Sequence, residues 1–221
     1  MTIHRGIERR GFLTRAMAGL AALGVLPEVA SGSGSIRGAS AIQGGWDMSW
    51  LDGLTGKHKQ VFDFNDMDIG LVVVKNWLDA HQTVYGLSGK DLNAVVGIGG
   101  HAFPVNATDA MYQKFPIGEL WKVNDPDTGK PAMRNIFMDG GKTAPFIGAG
   151  VRPLNGRGVI FWQCNNALHG VAARIGGAVK RPEPEVYAEL KAGLNPGVIL
   201  VPAHTMLIGL CQEHGCSYES L

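Results

Sequence analysis

Arg157-Gly158-Val159-Ile160-Phe161-Trp162-Gln163-Cys164-Asn165-Asn166-Ala167-Leu168 carries the clearest structural signal in the chain. Residues 158–164 are a short, almost unbroken apolar run rich in β-branched and aromatic side chains. That pattern predicts a strand buried on both faces. It passes at once into residues 165–175, where Leu168, Val171, Ala172 and Ile175 recur at helical spacing. A buried strand that feeds a helix is half of a βαβ unit, and such units build parallel sheets.

Working outward, the same alternation repeats. Residues 59–64 (Lys-Gln-Val-Phe-Asp-Phe) read as a first strand, with Asn65 or Asp66 as the cap of a helix carrying Ile69, Val72, Val73, Asn76, Trp77 and Ala80. Leu92 to Ile98 is a second buried strand, closed by Gly99-Gly100, and residues 108–115 predict a helix capped by Thr108 or Asn106. Beyond Cys164, residues 182–194 predict a helix between Pro182 and Asn195-Pro196-Gly197. Residues 198–201 predict a strand, residues 204–214 a helix ended by Gly215, and residues 216–218 a last short strand. The fold class expected is α/β: a three-layer sandwich with a mostly parallel sheet of about five strands.

Two segments stand outside that alternation. Residues 1–41 contain Arg9-Arg10 followed by Phe12-Leu13, an apolar run from Ala16 to Leu26, and a Gly/Ser-rich stretch ending in Ala39-Ser40-Ala41. A basic region, a short apolar region and small residues before an A-x-A site make a secretory signal, and the arginine pair resembles the twin-arginine type. The expectation is an exported, periplasmic protein that begins near Ile42, with residues 42–56 as a lead-in and 57–221 as one domain. The second segment is residues 118–158, where the periodic signal weakens. Its turn-dense centre, residues 124–131, and glycines at 140–141 and 148–150 predict irregular structure, with Asn135-Ile136-Phe137 as a short strand or extended stretch.

Composition limits the function classes. The whole chain carries a formal charge of +1. Removing residues 1–41 takes away five arginines and two glutamates, which leaves about −2. Nucleic-acid binding usually needs a basic face, so no nucleic-acid partner is expected. No run after the leader approaches the roughly 20 apolar residues of a membrane span. The three cysteines are an odd number, so at least one thiol is free or pairs between chains; Cys211 and Cys216 are close enough in sequence to pair.

The candidate site follows from position. Open α/β sheets bind ligands outside the carboxyl ends of their strands. Cys164 stands at such an end, where the following helix offers unpaired N–H groups and the positive end of its dipole, which favours negative charge on sulfur. The alternative is a small buried residue that merely closes the strand. His101 and His204 follow two other strands on the same edge, and with Gly99, Gly100, Asn165 and Asn166 they complete the expected pocket. In it Cys164 is the reactive group and His101 a general base or metal ligand, the alternative being a loop histidine bonded to backbone. His169 lies in the helix after Cys164. No local metal-ligand spacing appears, and Gly97-Ile98-Gly99-Gly100 lacks the dinucleotide pattern, so no cofactor is assigned.

Residues 157–168, together with Pro196-Gly197-Val198-Ile199-Leu200-Val201-Pro202 and Gln212-Glu213-His214-Gly215-Cys216-Ser217-Tyr218, resemble segments of DsrE/DsrF-like proteins. The likeness spans residues 156–218 well and 57–98 weakly. It implies a parallel α/β sandwich, homo-oligomers, and a sulfur-relay role in which a cysteine matching Cys164 carries persulfide sulfur between donor and acceptor proteins. The leader and the 101–156 insertion depart from that pattern. The expected function is thus an exported DsrE-like protein, with a thiol-based sulfur carrier or sulfurtransferase as its activity. The alternatives are a non-catalytic small-ligand or metal-binding protein and an accessory subunit of an exported redox complex.

Overall fold

The computed structural model describes residues 45–67 and 69–221; the expected export signal lies outside them. Among the described residues five strands pair in parallel: β1 (His58–Phe64), β2 (Leu92–Ile98), β3 (Ile160–Cys164), β4 (Ile199–Val201) and β5 (Ser217–Ser220). Their order across the sheet is β4-β3-β2-β1-β5. The helices are α1 (Gly70–Tyr85), α2 (Phe103–Asn106), α3 (Asp109–Lys114), α4 (Ile117–Trp121), α5 (Val151–Gly156), α6 (Asn165–Val179), α7 (Glu183–Ala192) and α8 (His204–Glu213).

This order decides where the helices go. From β1 to β4 each step moves one strand in the same direction, so right-handed crossovers carry α1 to α7 over one face. From β4 the chain must return across the whole sheet to β5, and α8 therefore covers the opposite face. The side chains agree. Phe62, Phe64, Val96, Ile98 and Phe161 pack with Leu71, Val74, Leu78 and Leu154 on the α1 face. The alternate residues Val61, Val95, Trp162 and Val201 pack with Leu207 and Cys211 of α8 and with Leu51 and Leu54 of the lead-in. The molecule is a three-layer α/β sandwich.

In α1 the buried stripe differs from the expected one. Leu71, Val72, Val74 and Leu78 are buried, whereas Asn76 and Ala80 are exposed. Gly70 opens the helix pressed against the Phe64 ring, with no room for a side chain between them. The Asp66 carboxylate accepts the Ile69 N–H at 3.4 Å, but Ile69 itself holds the cap position and no side chain bonds the first turn, so neither Asn65 nor Asp66 is the cap. Thr108 precedes α3, but its hydroxyl donates to the Gly193 carbonyl at 3.0 Å instead of capping the helix.

The insertion is far more ordered than its composition suggests. Phe103, Tyr112, Phe115, Ile117, Trp121, Val123 and Ala132 are buried against Leu168, Val171 and Ile175 of α6 and Val186 and Leu190 of α7. Buried asparagines fix its path. Asn135 donates to the carbonyls of Val105 at 3.0 Å and Ala107 at 2.7 Å, and its own N–H donates to Asp109. Residues 135–137 therefore form a turn, not a strand, because the Asn135 side chain takes the partners that a ladder would supply. Arg134 bridges Asp125 and Asp127, and Lys142 also reaches Asp127.

Candidate functional site: a sulfur between two helix ends

β3 and β4 are neighbours, yet their following helices leave on opposite faces. Such a divergence opens a crevice at the carboxyl edge. Cys164 is the last residue of β3 and the N-cap of α6, and it fills that position. Its Sγ accepts the Ala167 N–H of α6 at 3.4 Å and the His204 N–H of α8 at 3.3 Å. Two helices of opposite faces thus direct unpaired main-chain donors at one buried sulfur.

The His204 ring sits in a polar row that runs across the α8 face. The Trp162 indole N–H donates to His204 Nδ1 at 3.2 Å. An indole can only donate, so Nδ1 carries no proton and Nε2 does. Nε2 then donates to Asp63 Oδ1 at 2.8 Å. The Tyr218 hydroxyl donates to Asp63 Oδ2 at 2.8 Å, and Asn65 Nδ2 donates to Asp63 Oδ1 at 3.2 Å. The carboxylate that accepts its hydroxyl pushes the Tyr218 phenol above its ordinary range. Both ring nitrogens of His204 are engaged, so this histidine acts on Cys164 through its main-chain N–H and not as a base.

Gly97 makes the row possible. Asp63, Gly97 and Trp162 are adjacent in register on β1, β2 and β3. A Cβ on Gly97 would stand 2.4 Å from Trp162 Cζ2 and 3.0 Å from His204 Cε1. A glycine inside a strand marks such a close approach. Here it lets the indole lie over β2 and lets His204 reach β1.

The other expected residues take different places. Gly99 and Gly100 give their carbonyls to the buried Gln163 side chain at 3.1 Å and to the Trp121 indole at 3.2 Å. Asn165 Oδ1 accepts the Tyr187 hydroxyl at 2.6 Å, and Asn166 is exposed at the start of α6. His169 is a surface group, stacked on Tyr187 and bonded to Glu183. His101 is exposed and lines a cleft of about 460 Å³ with Asn65, Asp66, Trp121, Lys122 and Asn124. This cleft shares Met67, Asn124, Ile136 and Phe137 with a more apolar one of about 590 Å³ that reaches Phe146. The structure therefore brings His204 to Cys164, while His101 belongs to a cleft built by the β1–α1 junction and the insertion.

Sequence reasoning missed Asp63, Gly97, Trp162 and Tyr218. Asp63 offered a signal, a carboxylate between Phe62 and Phe64 at the end of a buried strand. Among the described residues no group of three or more His, Cys, Asp or Glu side chains is arranged to hold a metal ion, and no helix is long and apolar enough to cross a membrane.

No protein-family model matches the chain, and no curated protein matches it. Among solved structures, a protein of unknown function from Methanobacterium thermoautotrophicum is similar over 74% of this chain and 99% of its own, at 17% identity with a TM-score of 0.37. The three-layer architecture stands on the strand pairing itself.

Proposed function

We propose that the chain is an exported DsrE-like protein that carries sulfane sulfur on Cys164. One observation supports this most. The thiol accepts main-chain N–H groups from two helices. A neutral thiol is a weak acceptor, and a serine hydroxyl would serve better as a mere cap. A charged sulfur, thiolate or persulfide, is the form that uses two donors fully. In the transfer, the Cys164 thiolate attacks the outer sulfur of a donor persulfide. A new S–S bond forms at Cys164, the donor S–S bond breaks, and the donor leaves as a thiolate with the electron pair. No net oxidation occurs.

The test is intact mass after incubation with glutathione persulfide. A gain of one sulfur atom, about 32 Da, on the wild type and none on Cys164→Ser supports the reading. No gain on either overturns it. Export is tested separately: Arg9→Lys with Arg10→Lys in the leader should hold the precursor in the cytoplasm if the twin-arginine route is used.

A second reading rests on the clefts at His101 and Phe146. In it the protein holds a small ligand against the insertion, whatever the state of Cys164. Native mass spectrometry of the purified chain checks it, and a bound species retained by Cys164→Ser is the expected result.

A further inference from the structure

α8 is tied at both ends to the strand that follows it. At its amino end, His204 bonds Asp63, which accepts the Tyr218 hydroxyl of β5. At its carboxyl end, Cys211 in the last turns of α8 lies beside Cys216, which directly precedes β5. The Cys216 N–H donates to the Cys211 carbonyl at 2.9 Å, and Gly215 makes the reversal at φ +85°. Both side chains are buried in one cluster with Val61 and Leu207. The Lys59 ammonium lies 3.2 Å from the position of a Cβ on Gly215, which puts a positive charge next to Cys216.

We propose that Cys211 and Cys216 are a redox pair, closed to an intrachain disulfide by an external organic disulfide and reopened by an external thiol. Cys216 is the attacking group. The neighbouring Cys211 thiol and the Lys59 charge beside it hold its thiol below the ordinary range, while the neighbouring Cys216 thiol and burial push Cys211 up. Cys216 thiolate attacks one sulfur of the external disulfide, forms a mixed disulfide and expels the first external thiolate. Cys211 then gives up its proton and attacks Cys216 Sγ, which expels the second thiolate. The two cysteines lose two electrons, the external disulfide gains two, and the released protons pass to the leaving thiolates or to solvent.

The pairing also settles the odd cysteine count. Cys164 touches the amino end of α8 through His204, and Cys211 lies about 10 Å further along that helix. Disulfides need Cα atoms within about 7 Å. Pairing Cys211 with Cys216 leaves Cys164 as the one unpaired thiol. This assignment stands independently of what Cys164 carries.

The experiment is oxidative refolding of the full chain in a buffer of oxidised and reduced glutathione. It is followed by denaturation, iodoacetamide labelling without reductant, and peptide mapping. The expected result is a mass about 2 Da lower, a linked Cys211–Cys216 peptide, and label on Cys164 alone. Cys164→Ser should keep the 2 Da loss, and Cys216→Ser should abolish it. Full labelling of all three cysteines, or a bridge from Cys164 to either partner, overturns the proposal. Because refolding exposes both thiols to the buffer, slow access to the buried pair cannot produce a false negative.

Discussion

Replacing Cys164 with alanine and with serine separates a structural sulfur from a chemical one. Alanine removes the acceptor for two main-chain donors. Loss of an N-cap costs about 1 kcal/mol. The His204 N–H, left facing a buried void, costs about 1–3 kcal/mol more. The expected loss is therefore about 2–4 kcal/mol, which lowers the melting temperature by roughly 5–15 °C for a domain of this size. Serine keeps an acceptor at the same place, is a preferred N-cap, and should fall within about 1 kcal/mol of the wild type. Urea unfolding followed by tryptophan fluorescence measures both. Persulfide loading is read on the same samples, and serine should abolish it while preserving stability. An alanine variant as stable as the wild type would refute the two-donor geometry. A serine variant that unfolds as easily as alanine would show that volume, not hydrogen bonding, governs the position.

Other perturbations test other parts of the frame. Gly97→Ala puts a methyl 2.4 Å from the Trp162 ring; displacing the indole should cost about 2–4 kcal/mol from overpacking and a lost buried bond, and a change under 0.5 kcal/mol in urea would contradict the packing. Glu189 is held down to about 2, from an ordinary 4.5, first by the Arg181 guanidinium and then by Lys114. Its contribution is thus present above about pH 4.5 and lost as pH falls toward 2, so the stability gap between wild type and Glu189→Gln should close across that window in thermal melts. The Cys211–Cys216 disulfide closes a loop of about six residues, so oxidation should add about 2 kcal/mol relative to the dithiol; equal melting temperatures for the two forms would count against the chain-entropy estimate.

The alternation of strand and helix was readable because buried parallel strands are nearly continuous apolar runs. Leu92–Ile98 was placed to the residue, and β3 and β4 began one or two residues late. The insertion was legible in the helix at 108–115 and not in the rest, for a physical reason. Its helices α2, α4 and α5 are four to six residues long, too short to show a period, and their order comes from Asn135, Asn195 and Asn106 bonding to distant main chain. The site was half legible. Cys164 and His204 are local signals at strand ends. Asp63, Gly97 and Trp162 meet only through sheet register, which a single sequence does not print.

The sheet separates the two candidate sites. Cys164 is in phase with Trp162, whose neighbours Val61, Val95 and Leu207 line the α8 face. The clefts take Met67, Leu71, Val72 and Phe137, which belong to the core of the α1 face. β2 leaves through Gly99-Gly100 toward that same face, which is why His101 goes with the clefts. A ligand held by the insertion would therefore meet the carboxyl edge without displacing the His204 donor of Cys164, which comes from the α8 face. The sulfur-carrying and ligand-holding readings can both be true, and they fail independently. Cys164→Ser removes the first and spares the second, whereas a bulky residue at Phe137 or His101 blocks the second and leaves the sulfur cradle intact.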